Sequence, residues 1–136
     1  MIPKRKFREI VFQILFAHHF FKMEEKEYIE NMMKMLKASK KNIREAYLYS
    51  LNILKKMEEM DEIIKKFSLN YNINRISKVE LNILRLGVFE IFFDQDIPNK
   101  VAISEAIRLC RKFGTRDSAK FVNAILDNIF KNFKEL

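Results

Sequence analysis

Apolar positions recur along nearly the whole chain at intervals of three and four, the period that places side chains on one face of an α-helix. Phe7, Ile10, Val11, Ile14, Leu15 and His18 share one face of a first helix that starts after Pro3 and runs to about His19. Ile29, Met32, Met33 and Leu36 form the stripe of a second helix over about Glu25–Leu36, reached through Lys22–Glu27. Ser39 suits the N-cap of a third, with Ile43, Tyr47, Leu51 and Leu54 facing inward and Ser50 small enough for close approach. The period continues through Met57, Met60, Ile64 and Phe67. One straight helix from Ser39 to Phe67 is unusually long for a compact domain, so a break is expected near Met57–Asp61, although neither Gly nor Pro marks it.

Asn70, Asn72 and Asn74 alternate through a polar linker. It is expected to divide a single domain, 1–136, into an N-terminal helical subdomain of about 1–70 and a C-terminal one of about 71–136. Ser77-Lys78-Val79-Glu80 reads as a capping box, with Ile76 and Leu81 placed for the hydrophobic staple. The helix it opens should bury Leu81, Leu84, Val88 and Ile91, with Gly87 admitting a close neighbour. Pro98 stops continuation, and a helix of about Lys100–Phe113 follows with Ile103, Ala106, Ile107 and Cys110 inside. Gly114 is expected as its left-handed terminator. Asp117 and Ser118 then open a last helix packed through Phe121, Val122, Ile125, Leu126, Ile129 and Phe133. The expected class is all-α: about seven helices in two small bundles, without strands.

Two Gly and two Pro in 136 residues agree with that class, because a many-stranded sandwich needs more turn residues. Hydrophobic residues make up 49% and charged residues 32%, enough for a core under a soluble surface. The single Cys110 excludes an internal disulfide and a multi-thiolate metal site and fits a reducing, cytoplasmic setting. No apolar run is long enough to cross a bilayer. The basic-then-apolar start has the outline of a signal peptide, but Arg8, Glu9, Gln13 and two His interrupt it, and it reads as a mature amphipathic helix.

The sequence carries no recognisable catalytic constellation, metal site or cofactor loop. His18 and His19 are adjacent and point about 100° apart on a helix, so they cannot share a metal. Cys110 falls on an inner face, as a small hydrophobe does. The net charge of +8 is more informative, since it favours a polyanionic partner, although a lysine-rich solubility surface gives the same figure. Lys4, Arg5, Lys6 and Arg8 precede the first acid, Glu9, at a helix N-terminus where the dipole disfavours cations. A second basic run, Arg108, Arg111, Lys112, Arg116 and Lys120, is interleaved with Phe113 and Phe121. Cations hold phosphates and exposed rings stack unpaired bases, whereas packed rings would only be core.

The segment Pro98–Asp127, PNKVAISEAIRLCRKFGTRDSAKFVNAILD, resembles the signature of the NusB transcription antitermination family. That signature runs Pro-x-x-Val-Ala-Ile, a Glu-Ala helix, a Lys/Arg-x-Phe-Gly turn and a Ser-x-x-Phe-Val-Asn-x-x-Leu-Asp helix. VELNILRLGVFE (Val79–Glu90) and REIVFQILF (Arg8–Phe16) resemble two further blocks of the family. Two positions depart from it: Ala124 stands where Gly is usual, which should tighten packing there, and Phe16 stands where Tyr is common.

The resemblance implies a non-enzymatic factor without cofactor that binds boxA, a single-stranded element of ribosomal RNA leaders. It implies pairing with NusE, a small-subunit ribosomal protein, in an RNA polymerase elongation complex with NusA and NusG. It assigns RNA contacts to Lys4, Arg5, Lys6, Arg8, Lys112, Phe113, Asp117, Lys120 and Phe121, and partner contacts to Phe16 and Glu80. Some relatives look dimeric, and the apolar first helix suits a homodimer. The same domain also occurs fused to ribosomal RNA cytosine methyltransferases, and a helical protein-interaction module is the plainest alternative.

Overall fold

The computed structural model describes residues 2–20, 24–36, 38–68 and 72–132. Within them the chain forms seven α-helices, one short 3-10 turn and no strand. The helices are α1 (Lys4–His18), α2 (Glu25–Leu36), α3 (Lys40–Lys55), α4 (Met57–Phe67), α5 (Lys78–Phe93), α6 (Asn99–Phe113) and α7 (Arg116–Lys131). They fall into two compact units, Met1–Lys55 and Lys56–Leu136.

In the first unit α3 lies against both α1 and α2. Packing on two sides sets which face of α3 is buried: Ile43, Ala46, Ser50 and Ile53 go inside, whereas the expected Tyr47, Leu51 and Leu54 stay half-buried. Ala46 and Ser50 are small enough for a helix on each side, and the Ser50 hydroxyl is satisfied by donating to the Ala46 carbonyl at 2.8 Å. Ser39 caps α3 as expected, its Oγ accepting from the Asn42 N–H at 3.2 Å. On α1 the buried side chains are Arg8, Ile10, Val11, Phe12, Ile14 and Leu15. His18, expected on the inner face, is exposed, because α1 ends there, beyond its packed turns.

The break after α3 falls at Lys56 (φ −106°, ψ 13°), one residue ahead of the expected stretch. Its sequence signal is charge: Glu58 and Glu59 occupy the first turn of α4 and Lys65 and Lys66 the last, each sign matching its end of the helix dipole. The two units part at this break and not at the asparagine linker near residue 70, because α4 packs against α5 and α7. Asn70 itself lies outside the described residues.

In the second unit α5 is surrounded by α4, α6 and α7. Every residue from Leu81 to Glu90 is buried, so α5 has no single inner stripe; the expected Ile91 is only half-buried, at the end of the covered stretch. A helix apolar on all sides is a core helix. Gly87 permits this, since a Cβ there would stand 3.1 Å from Leu126 Cδ1 on α7 and 3.8 Å from Ala106 Cβ on α6. The polar groups on α5 are satisfied locally. Asn82 donates to the Lys78 carbonyl at 2.8 Å, and Arg85 forks onto Asp61 of α4 through Nε and Nη2, both at 2.8 Å. Ser77 caps α5: its Oγ accepts from the Glu80 N–H at 3.1 Å and donates to Glu80 Oε1 at 2.8 Å. Ile76 and Leu81 are both buried beside it.

On α6 the buried positions are Ala102, Glu105, Ala106, Leu109 and Cys110, while Ile103 and Ile107 are half-buried. The alanines face α5 because that interface is tight, and the bulkier isoleucines sit at its margin. Val122, Ile125, Leu126 and Ile129 of α7 are buried as expected; Phe121 is half-buried and Phe133 lies outside the described residues.

Candidate nucleic-acid interface

The first basic segment opens α1. Pro3 is the N-cap and supplies no side-chain hydrogen bond, and the first turn holds no acid. Lys4 and Arg5 are exposed and Lys6 is half-buried. These cations sit at the positive end of the helix dipole, where a positive charge is disfavoured. Arg8 differs from the expectation. It is 7% exposed and engaged within the protein: it lies one turn on from Lys4 and Arg5, in the stretch of α1 where the buried residues begin.

The second segment lies in the other unit, at the junction of α6 and α7. Arg111, Lys112, Arg116, Asp117 and Lys120 are exposed, and Phe113 and Phe121 are half-buried. The Lys112 ammonium stands 5.7 Å from the centre of the Phe113 ring. Arg108 is held by Glu105 of its own helix, Nε to Oε2 at 2.9 Å and Nη2 to Oε1 at 3.2 Å. The turn is built by Gly114 and Thr115. Gly114 is extended (φ −118°, ψ −138°), so the expected left-handed terminator is corrected. Glycine suits the turn because the space is tight: a Cβ would stand 3.1 Å from both the Cys110 carbonyl oxygen and Ser118 Oγ. The true N-cap of α7 is Thr115, whose Oγ1 accepts from the Ser118 N–H at 3.1 Å, two residues ahead of the expected Asp117–Ser118 start. Asp117 thus stands in the first turn, where its charge suits the dipole.

The sequence matches the NusB family model over residues 5–131. The chain belongs to the NusB family. Among curated proteins, the transcription antitermination protein NusB of Clostridium perfringens is 37% identical over 131 residues, covering 95% of this chain and 97% of the relative. That of Thermotoga maritima is 38% identical over 129 residues, covering 95% and 91%. A solved structure of Thermotoga maritima NusB superposes with a TM-score of 0.80 at 36% identity, covering 96% and 92% of the two chains. A structure of the antitermination factors NusB and NusE in complex with dsRNA gives a TM-score of 0.79 at 26% identity, covering 94% and 96%.

The NusB-like blocks divide in role once placed on the fold. Arg85 and Glu90, both in the block Val79–Glu90, are buried on α5 and build the second unit. Glu80 is half-buried and committed to the Ser77 cap. Phe16 is half-buried in an aromatic row along α1, its ring 6.0 Å from Phe12 and 5.1 Å from Phe20. Phe20 ends the row 57% exposed; the spacing of four from Phe12 to Phe16 to Phe20 was a signal available in the sequence. Ala124 is exposed on α7, so the departure from the family's usual Gly does not tighten packing there.

The Cys110 thiol is fully buried, and burial first, with the Glu80 carboxylate second, pushes its pKa up to about 12. A thiol held neutral in this way is a packing group and not a nucleophile. No group of three metal-ligating side chains occurs among the described residues. No helix among them is long and apolar enough to cross a membrane.

Proposed function

We propose that this chain is an RNA-binding transcription antitermination factor acting by assembly, without bond-making, in the cytoplasm. The observation that carries this reading is the pair of cationic segments, with Lys4 and Arg5 exposed in one and Arg111, Lys112, Arg116 and Lys120 exposed in the other, on a NusB-family fold. The RNA ligand is a boxA-type single-stranded segment of a ribosomal RNA leader. Lys4, Arg5, Lys6, Lys112 and Lys120 hold phosphates and supply salt-dependent affinity, Phe113 and Phe121 offer ring surface to unpaired bases, and Asp117 orients the RNA. Arg8 acts indirectly, by fixing α1. NusE is the protein partner, with Phe16 and Glu80 near its contact, and the complex joins RNA polymerase with NusA and NusG. Binding RNA and protein together raises the apparent affinity for each.

The test is equilibrium binding of boxA RNA against a scrambled single strand and a duplex, with and without NusE. Preference for boxA that strengthens with NusE supports the reading. Equal affinity for boxA and scrambled strands, unchanged by NusE, overturns it.

A further inference from the structure

We infer that Arg111 and Arg116 are additional phosphate-binding side chains of the α6–α7 junction, and that Arg108, in the same basic run, is not. The inference rests on the RNA-binding role proposed above and sharpens it, because sequence alone treats the five cations from Arg108 to Lys120 alike. The structure separates them. The Nε and Nη2 edge of the Arg108 guanidinium is taken by both carboxylate oxygens of Glu105, which is 7% exposed, so its charge is paired in place. Arg111 and Arg116 are exposed and make no ion pair among the described residues.

Arg116 carries the stronger case. It is the first residue of α7, at the positive end of that helix dipole, and Lys120 stands four residues on, on the same face. Like charges one turn apart repel, and a cation at a helix N-terminus is opposed by the dipole. Helix stability therefore argues against Arg116 and Lys120 in these places, and Asp117 offsets only part of the charge. An RNA phosphate between them would relieve both penalties. Arg111 stands in the last turn of α6, on the other side of the Gly114–Thr115 turn. Its charge suits that helix end, so it is tolerated without a ligand, and its unused fork of donors matches a phosphate oxygen pair.

The experiment measures boxA affinity of the full chain from about 50 to 200 mM salt for wild type, Arg111→Ala, Arg116→Ala, the double variant and Arg108→Gln. Each phosphate contact on a single strand contributes about 0.7 to the slope of log affinity against log salt. Arg111→Ala and Arg116→Ala should each flatten the slope by about 0.7 and the double by about 1.4, whereas Arg108→Gln should leave it unchanged. Thermal melts confirm that each variant is folded, and Arg116→Ala should melt no lower than wild type. An unchanged slope in the double variant, or an Arg108→Gln loss as large as that of Arg116→Ala, overturns the assignment. If Lys4, Arg5 and Lys6 still control the slope in that case, the RNA-binding role survives without this inference. If wild type does not bind boxA, the role itself has failed.

Discussion

The Arg85–Asp61 fork offers a sharp test of how the second unit is held together. Arg85 projects from the buried helix α5, with its side chain 8% exposed, and meets both oxygens of Asp61 on α4, whose side chain is 26% exposed. Asp61→Ala removes the only acceptors that these two donors have in the fork and leaves a cation in a largely dry site. Breaking a buried pair from one side costs about 3–5 kcal/mol. Water reaching the partly open Asp61 side places the expected loss near the lower end, about 3 kcal/mol. In a chain of this length that is a drop in Tm of roughly 10 °C. Arg85→Met together with Asp61→Ala removes the stranded charge and keeps the volume, so the double variant should be more stable than Asp61→Ala alone. Urea unfolding of wild type, both single variants and the double closes the cycle, read from midpoints at constant m value. A loss under about 0.5 kcal/mol for Asp61→Ala, or a double variant costing the sum of the singles, would refute the fork as a strut.

Ser77→Ala should destabilise the protein by about 1 kcal/mol in the same urea assay, through loss of the α5 cap; a neutral result would show that the cap is dispensable. Cys110 should make stability pH-dependent above its ordinary range. Its pKa is raised in the folded state from 9.0 to about 12, so the stabilising contribution is complete below 9 and is lost as pH rises toward 12. The stability difference between wild type and Cys110→Ala should therefore shrink by about 1.4 kcal/mol per pH unit across that window; a constant difference contradicts the buried neutral thiol. Phe113→Leu and Phe121→Leu, both at half-buried rings, should weaken boxA binding by about 1 kcal/mol with an unchanged salt slope, as base stacking does. A fall in Tm with full affinity in the folded protein would make the rings core alone.

The helices were legible because apolar residues at intervals of three and four survive in every segment, and because Ser39 and Ser77 mark their caps. What the periodicity missed was the number of neighbours each helix has. A single stripe suffices for a helix packed on one side, but α3 is flanked by two helices, and Ala46 and Ser50 displaced Tyr47 and Leu51 from the centre. The second-unit helix α5 is enclosed, and its continuous burial from Leu81 to Glu90 leaves no stripe to read. Gly114 was expected as a left-handed terminator, whereas its backbone is extended and it is set apart by proximity to Ser118 and the Cys110 carbonyl, which is invisible in sequence. In the candidate interface, runs of basic residues gave the location but not the use of each charge. Arg8 is buried and Arg108 is paired, distinctions that depend on where along α1 the covered stretch begins and on a carboxylate three residues back from Arg108.

Lys4, Arg5 and Lys6 at the start of α1 are proposed to hold RNA phosphates. The most direct measurement is the salt dependence of boxA binding for wild type and for the triple variant Lys4→Ala, Arg5→Ala, Lys6→Ala, with folding checked by thermal melt. Phosphate binding predicts weaker affinity at low salt and a slope shallower by about 2 units, while the melt stays unchanged. A triple variant that binds boxA as wild type does, with the same slope, would contradict the claim.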